Sequence, residues 1–118
     1  MIKAEFGMID AFDERKDYSG YHPERYHCLA IDDDIYVNDW WEALSCIDTL
    51  HVYDKGSLHP QKALARWGIT VIPPSSLPAL LEIVITDKRY HGDKRLVALA
   101  DLIRQAIDQK KYMIHYGV

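Results

Sequence analysis

The stretch "DDDIYVNDWWEALSCID", Asp32 to Asp48, gathers the side chains of this chain most able to do chemistry: three consecutive carboxylates, two tryptophans and a cysteine. A run of carboxylates suits a hard cation such as calcium. Its loop sites need oxygen ligands at alternating places, a glycine at the sixth and a glutamate at the twelfth. Counted from Asp32, those two places hold Val37 and Ala43, so the pattern fails. Neighbouring side chains on a strand also point to opposite faces, so Asp32, Asp33 and Asp34 do not converge on one ion unaided. No resident metal is expected.

The other reactive groups are dispersed. The six histidines, His22, His27, His51, His59, His91 and His115, include no pair at helical i, i+4 spacing, and HExxH is absent. Cys28 beside His27 lacks the second ligand pair of a zinc knuckle. No serine stands in a G-x-S-x-G elbow, and Cys46, on an apolar helix, reads as a small core residue. The glycines form neither G-x-G-x-x-G nor a P-loop, which argues against a dinucleotide-dependent enzyme. No catalytic residue and no cofactor are assigned. One arrangement keeps a small enzyme or ligand-binding domain open as the alternative. The tyrosine- and histidine-rich loop from Asp13 to Arg25 leads to His27, Cys28 and Asp32–Asp34 at a strand end, where α/β proteins often place ligands; His115 is a further contributor.

The tryptophans point elsewhere. Adjacent residues on a helix differ by about 100° in direction, so one of Trp40 and Trp41 can enter the core while the other reaches its rim. A rim tryptophan ringed by acids matches an interface with a basic protein, the ring as desolvated anchor and the carboxylates for steering and pairing. The candidate partner-binding set is Asp32, Asp33, Asp34, Asp39, Trp41, Glu42 and Asp48. The competing expectation buries both rings and leaves the acids to solvate the surface.

The elements that must position these residues follow from periodicity. "IKAEFGMIDAF" alternates as a half-buried strand, and "YHCLAI" gives a second strand that delivers the chain to Asp32. A helix starts near Asn38, with Asp39 and Glu42 as a capping box and Trp40, Leu44 and Ile47 as its buried stripe. "LHVYD" forms a short strand or the helix exit, and "PQKALARW" a helical turn opened by Pro60. "WGITVI", apolar on both faces, is a central strand halted by Pro73 and Pro74. "SSLPALLEIVIT" is a helix capped by Ser75 or Ser76, and Asp93 caps the longest helix, Lys94 to about Gln109. "KYMIHYGV" is the closing strand. The order predicts an α/β or α+β single domain over 1–118, a mixed β-sheet of about four to five strands with three helices packed on it.

Composition sets the outer limits. A chain of 118 residues, 48% hydrophobic, builds one core without disulfide or metal staples. No run is long and apolar enough for a membrane span, and Glu5 and Asp10 interrupt the N-terminus where a signal peptide needs an apolar stretch. Two cysteines fit a reducing compartment, so a cytoplasmic location is expected. The basic cluster "DKRYHGDKR" could hold a phosphate, yet a pI near 5.8 argues against a duplex-binding surface; direct nucleic-acid binding is not expected. Charge is unevenly spread: residues 1–54 carry −9 and residues 55–118 carry +5. Either acidic and basic elements lie side by side within the fold, or an acidic face is left to steer a basic partner.

"IKAEFGMIDAFDE", "DDDIYVNDWWEAL", "WGITVIPPSSLPALLEIV" and "KYMIHYGV", together about half of the chain, resemble small bacterial immunity-type proteins, antagonists of polymorphic or contact-dependent toxins. The resemblance implies a non-enzymatic cytosolic antitoxin that neutralises a basic toxin, plausibly a nuclease, with the acidic half as its binding face. Self-association through the tryptophans is a third expectation, and the choice between monomer and homodimer is left open.

Overall fold

Strict alternation in "KAEFGMI" forms β1, Lys3–Ile9, and sends Phe6 to one face of the sheet and Ile9 to the other. The computed structural model describes residues 3–53 and 57–117, apart from the side chains of residues 34 and 35. Among the acids and bases counted above, Asp54, Lys55 and the side chain of Asp34 lie outside the described part.

β1 is followed by a long loop ending in a 3-10 turn, Pro23–Tyr26, then by β2, Leu29–Asp32. A π-helical turn, Asp33–Val37, leads into α1, Asn38–Leu44. The hairpin of β3, Asp48–Val52, and β4, Leu58–Lys62, precedes β5, Ile69–Ile72. Helices α2, Leu77–Thr86, and α3, Lys94–Gln109, lead to β6, Tyr112–Gly117. The domain is α+β. The sheet has six strands rather than four to five, in the order β2-β1-β6-β5-β3-β4, and every described pairing is antiparallel rather than mixed.

The two faces are covered differently. On one, Phe6, Ile31, Ile72 and Met113 pack against Trp40 and Leu44 of α1, Leu80 of α2 and Leu99 of α3. On the other, Ile9, Val71, Ile114 and Tyr116 lie under the loop between β1 and β2, which contributes Phe12, Tyr18 and Tyr26. Phe12 stacks on Tyr112 and Tyr18, with ring centroids 4.0 and 5.5 Å apart.

Several sequence expectations need correction. The stretch containing Pro60 is a strand, not a helical turn. The backbone bonds Tyr53 N to Ser57 O and Ala63 N to Ile47 O fix which pairs of the hairpin are hydrogen-bonded. Alternation from them makes Leu50 opposite Pro60 a non-bonded pair, so the missing N–H would face outward, away from β3. As an edge strand, β4 therefore tolerates the proline and is blunted by it. No capping box forms on α1, because Asp39 turns its carboxylate to Arg89. Ser76 donates to the carbonyl of Asp48 instead of capping α2, whereas Asp93 does cap α3, accepting from Arg95 N at 2.9 Å. Cys46 is exposed rather than in the core, and Trp67 precedes β5 in a turn.

Candidate partner-binding surface

The acidic stretch does not make one surface. Asp32 and Asp33 leave β2 in opposite directions: Asp32 sits opposite Lys3 in register, half-buried, while Asp33 is 0% exposed. Arg66 Nε donates to Asp33 Oδ2 at 2.9 Å, and the same guanidinium lies 5.5 Å from the ring of Trp41. Asp39 and Glu42 are exposed on α1, and Asp39 lines an open groove of about 500 Å³ between α1 and the end of α2. Asp48 is exposed at the start of β3, at the opposite end of the sheet from Asp32. Asp33 thus drops out of any contact surface. Trp40 is buried with Nε1 donating to Asp87 at 2.8 Å, and Trp41 stays half-buried beneath Arg66.

Much of the charge asymmetry is settled inside the fold. Asp10 pairs with Lys111, Asp33 with Arg66, Asp39 with Arg89 and Asp48 with Lys62, each joining an acid of the first half to a base of the second. Arg89 also grips Asp87 through two nitrogens, at 2.9 and 2.7 Å, and stacks over Tyr36 at 4.6 Å. That grip holds the Asp87 carboxyl well below the usual carboxylate range. The basic turn is in this way a bracket for the acidic helix.

What stands out at the surface is aromatic. The exposed large hydrophobic side chains among the described residues are Trp67 at 70%, Tyr21 at 50% and Tyr53 at 47%. All three fall at one end of the sheet. The register runs Glu5, Tyr116, Ile69, Val52, Leu58 across five strands in a single row. Tyr21 packs edge-on against Tyr116 with centroids 5.0 Å apart, Trp67 lies two residues before Ile69, and Tyr53 directly follows Val52. Ile69, Val52 and Leu58 are half-buried on the loop-covered face with Tyr116, whereas Tyr53, one residue beyond Val52, alternates to the other face of the same end and meets His59 with ring centroids 4.5 Å apart. Large exposed aromatics beside half-covered aliphatic side chains are the usual anchors of a protein interface.

Negative charge persists at this end. The Tyr21 hydroxyl donates to the carboxylate of Glu5, which pushes the phenol up to about 12. Glu24 adds its field there. Among the described residues neither Glu5 nor Glu24 has an ion-pair partner. Sequence reading missed Trp67 because its apolar neighbours merge it into the strand. The signal that could have found it is Gly68 immediately after, a turn residue that ends the alternation.

The residues of the alternative ligand site are not brought together. Cys28 shares the loop-covered face with Tyr26, where burial and the nearby Glu5 and Glu24 push its thiol up to about 12, far from a reactive thiolate. His115 points to the helix-covered face beside Phe6, so the sheet itself separates the two. His27 is exposed, with φ 52°, where it ends the 3-10 turn. Among the described residues no group of three or more His, Cys, Asp or Glu side chains is placed to hold a metal, and no helix is long and apolar enough to cross a membrane. Comparison of the chain with protein-family models, with curated proteins and with solved structures finds no match.

Proposed function

We propose that this chain is a non-enzymatic, cytoplasmic antagonist of the immunity type that holds a basic protein toxin against the aromatic end of its sheet. The observation that carries the reading is the convergence of Trp67, Tyr21 and Tyr53 on that end. Rigid aromatic rings contribute large desolvated area for little lost side-chain freedom, so three of them on the two sides of one sheet end offer a partner anchors that straddle its rim. Glu5 and Glu24 give this end carboxylates that attract cationic side chains. The α1 acids of the original set, Asp39 and Glu42, then act at a distance, through field rather than contact.

The test is a calorimetric titration for stoichiometry together with surface-plasmon-resonance kinetics, both with the toxin-bearing product of the reading frame adjacent to this gene, at low and high salt. The reading expects a one-to-one complex whose association slows as salt rises while its lifetime changes little. Absence of a complex with that product discards it.

A further inference from the structure

The Asp33–Arg66 pair does more than cancel a charge, because Arg66 belongs to the same turn as Trp67. We infer that Asp33, reaching no surface itself, is the positioning residue that fixes the Trp67 turn for partner docking. Four contacts converge on this turn. Arg66 Nε bonds the fully buried Asp33, and Arg66 Nη1 donates to Asn38 Oδ1 at 3.2 Å. Ala65 N donates to Thr70 Oγ1 at 2.7 Å, and Gly117 N donates to Gly68 O at 2.8 Å. A Cβ at position 117 would collide with the Arg66 carbonyl, so the turn lies directly on the end of β6.

The turn is entered through Ala63 at φ 62°, a left-handed conformation that a non-glycine residue holds only when its surroundings over-determine it. Thr49 Oγ1 donates to the Ala63 carbonyl at 2.5 Å, and His51 Nε2 lies 3.2 Å from it. Asp33 is fully buried, as is Thr70, and it is the charged anchor of the set: its Oδ2 accepts from Arg66 Nε, and its Oδ1 has no partner among the described residues. A bonded charge inside the fold is costly to bury, so its presence asks for a use. Here the use is to present Trp67, 70% exposed, in a single orientation. Binding then depends on a carboxylate that no partner touches, since an unfixed turn must be ordered at the moment of docking.

The binding consequence rests on the proposed function; the positioning itself does not, and is tested on the free protein. Amide hydrogen exchange is followed at Ala65, Gly68 and Gly117, with Leu99 and Ile103 of α3 as controls, in wild type and in Asp33→Asn. Positioning predicts exchange about tenfold faster or more at the three turn amides, with the α3 amides unchanged. The double variant Asp33→Asn/Arg66→Met leaves no charge unpaired; it is predicted to remain folded and to show the same local acceleration. Unchanged turn amides in either variant overturn the inference, as does an equal acceleration at all five sites in the double variant, which marks global loosening. If the turn amides accelerate and no toxin binds the wild type, the latch stands and the antagonist reading falls.

Discussion

Phe6 and His115 face each other across β1 and β6 with ring centroids 5.0 Å apart, and His115 is completely buried with neither ring nitrogen reaching a hydrogen-bond partner among the described residues. Burial, reinforced by the nearby His51, lowers the imidazole to about 3 from its ordinary 6.5. The unfolded chain therefore takes up a proton at this position that the folded chain refuses. Stability from this residue is fully present above pH 6.5 and is lost as pH falls from there toward 3. Replacing His115 by leucine is expected to remove this dependence: between pH 7 and pH 4.5 the variant loses about 2–3 kcal/mol less than wild type. Urea unfolding at the two pH values checks it, and parallel losses in the two proteins would show that His115 is not the group responsible.

A second expectation concerns the bracket between α1 and the turn before α3. Asp87 accepts from Trp40 and twice from the Arg89 side chain, and its own side chain is nearly buried. Asp87→Asn keeps the shape, halves the acceptor capacity and leaves Arg89 with Asp39 alone, at an expected cost of about 2–3 kcal/mol. The denaturant midpoint reads this directly. Because the loss centres on a shielded pair, it should persist in high salt; a loss that vanishes in salt would assign the pair to the solvent-screened surface.

The end of α3 offers a gain. Lys110 caps the helix at φ 55°, with its N–H on Ile107 O and that of Lys111 on Ala106 O. Glycine adopts this conformation without the Cβ penalty, so Lys110→Gly is expected to raise stability by about 1 kcal/mol. A thermal melt suffices, and a lowered midpoint would contradict the assignment of strain to that residue.

How legible these features were depended on whether a local pattern or a distant partner decided them. β1, β6 and α3 were readable because alternation and the 3.6-residue stripe act within one segment, and the Asp93 cap is set by its own neighbours. The β3–β4 hairpin was not, since Pro60 is acceptable only at an outward edge position that another strand defines. The direction step between Trp40 and Trp41 allowed one ring in the core and one at its rim but did not decide between that and burial of both; Trp40 is buried and Trp41 half-buried. The surroundings of the acids in the binding set were not legible for a different reason. Whether Asp33, Asp39 and Asp48 face solvent or a base was decided by Arg66, Arg89 and Lys62, between 14 and 50 residues away. Segment charge counts cannot see such pairings; the opening run of aspartates is, in its middle member, an internal anchor.

The central claim, that contact is made by the aromatic end of the sheet and not by the acidic helix, is most directly tested by comparing the toxin affinities of two double variants. Trp67→Ala/Tyr53→Ala is predicted to weaken binding by about a hundredfold or more, and Asp39→Asn/Glu42→Gln by no more than about threefold. The reverse ranking, with the α1 pair decisive and the two rings dispensable, would contradict it.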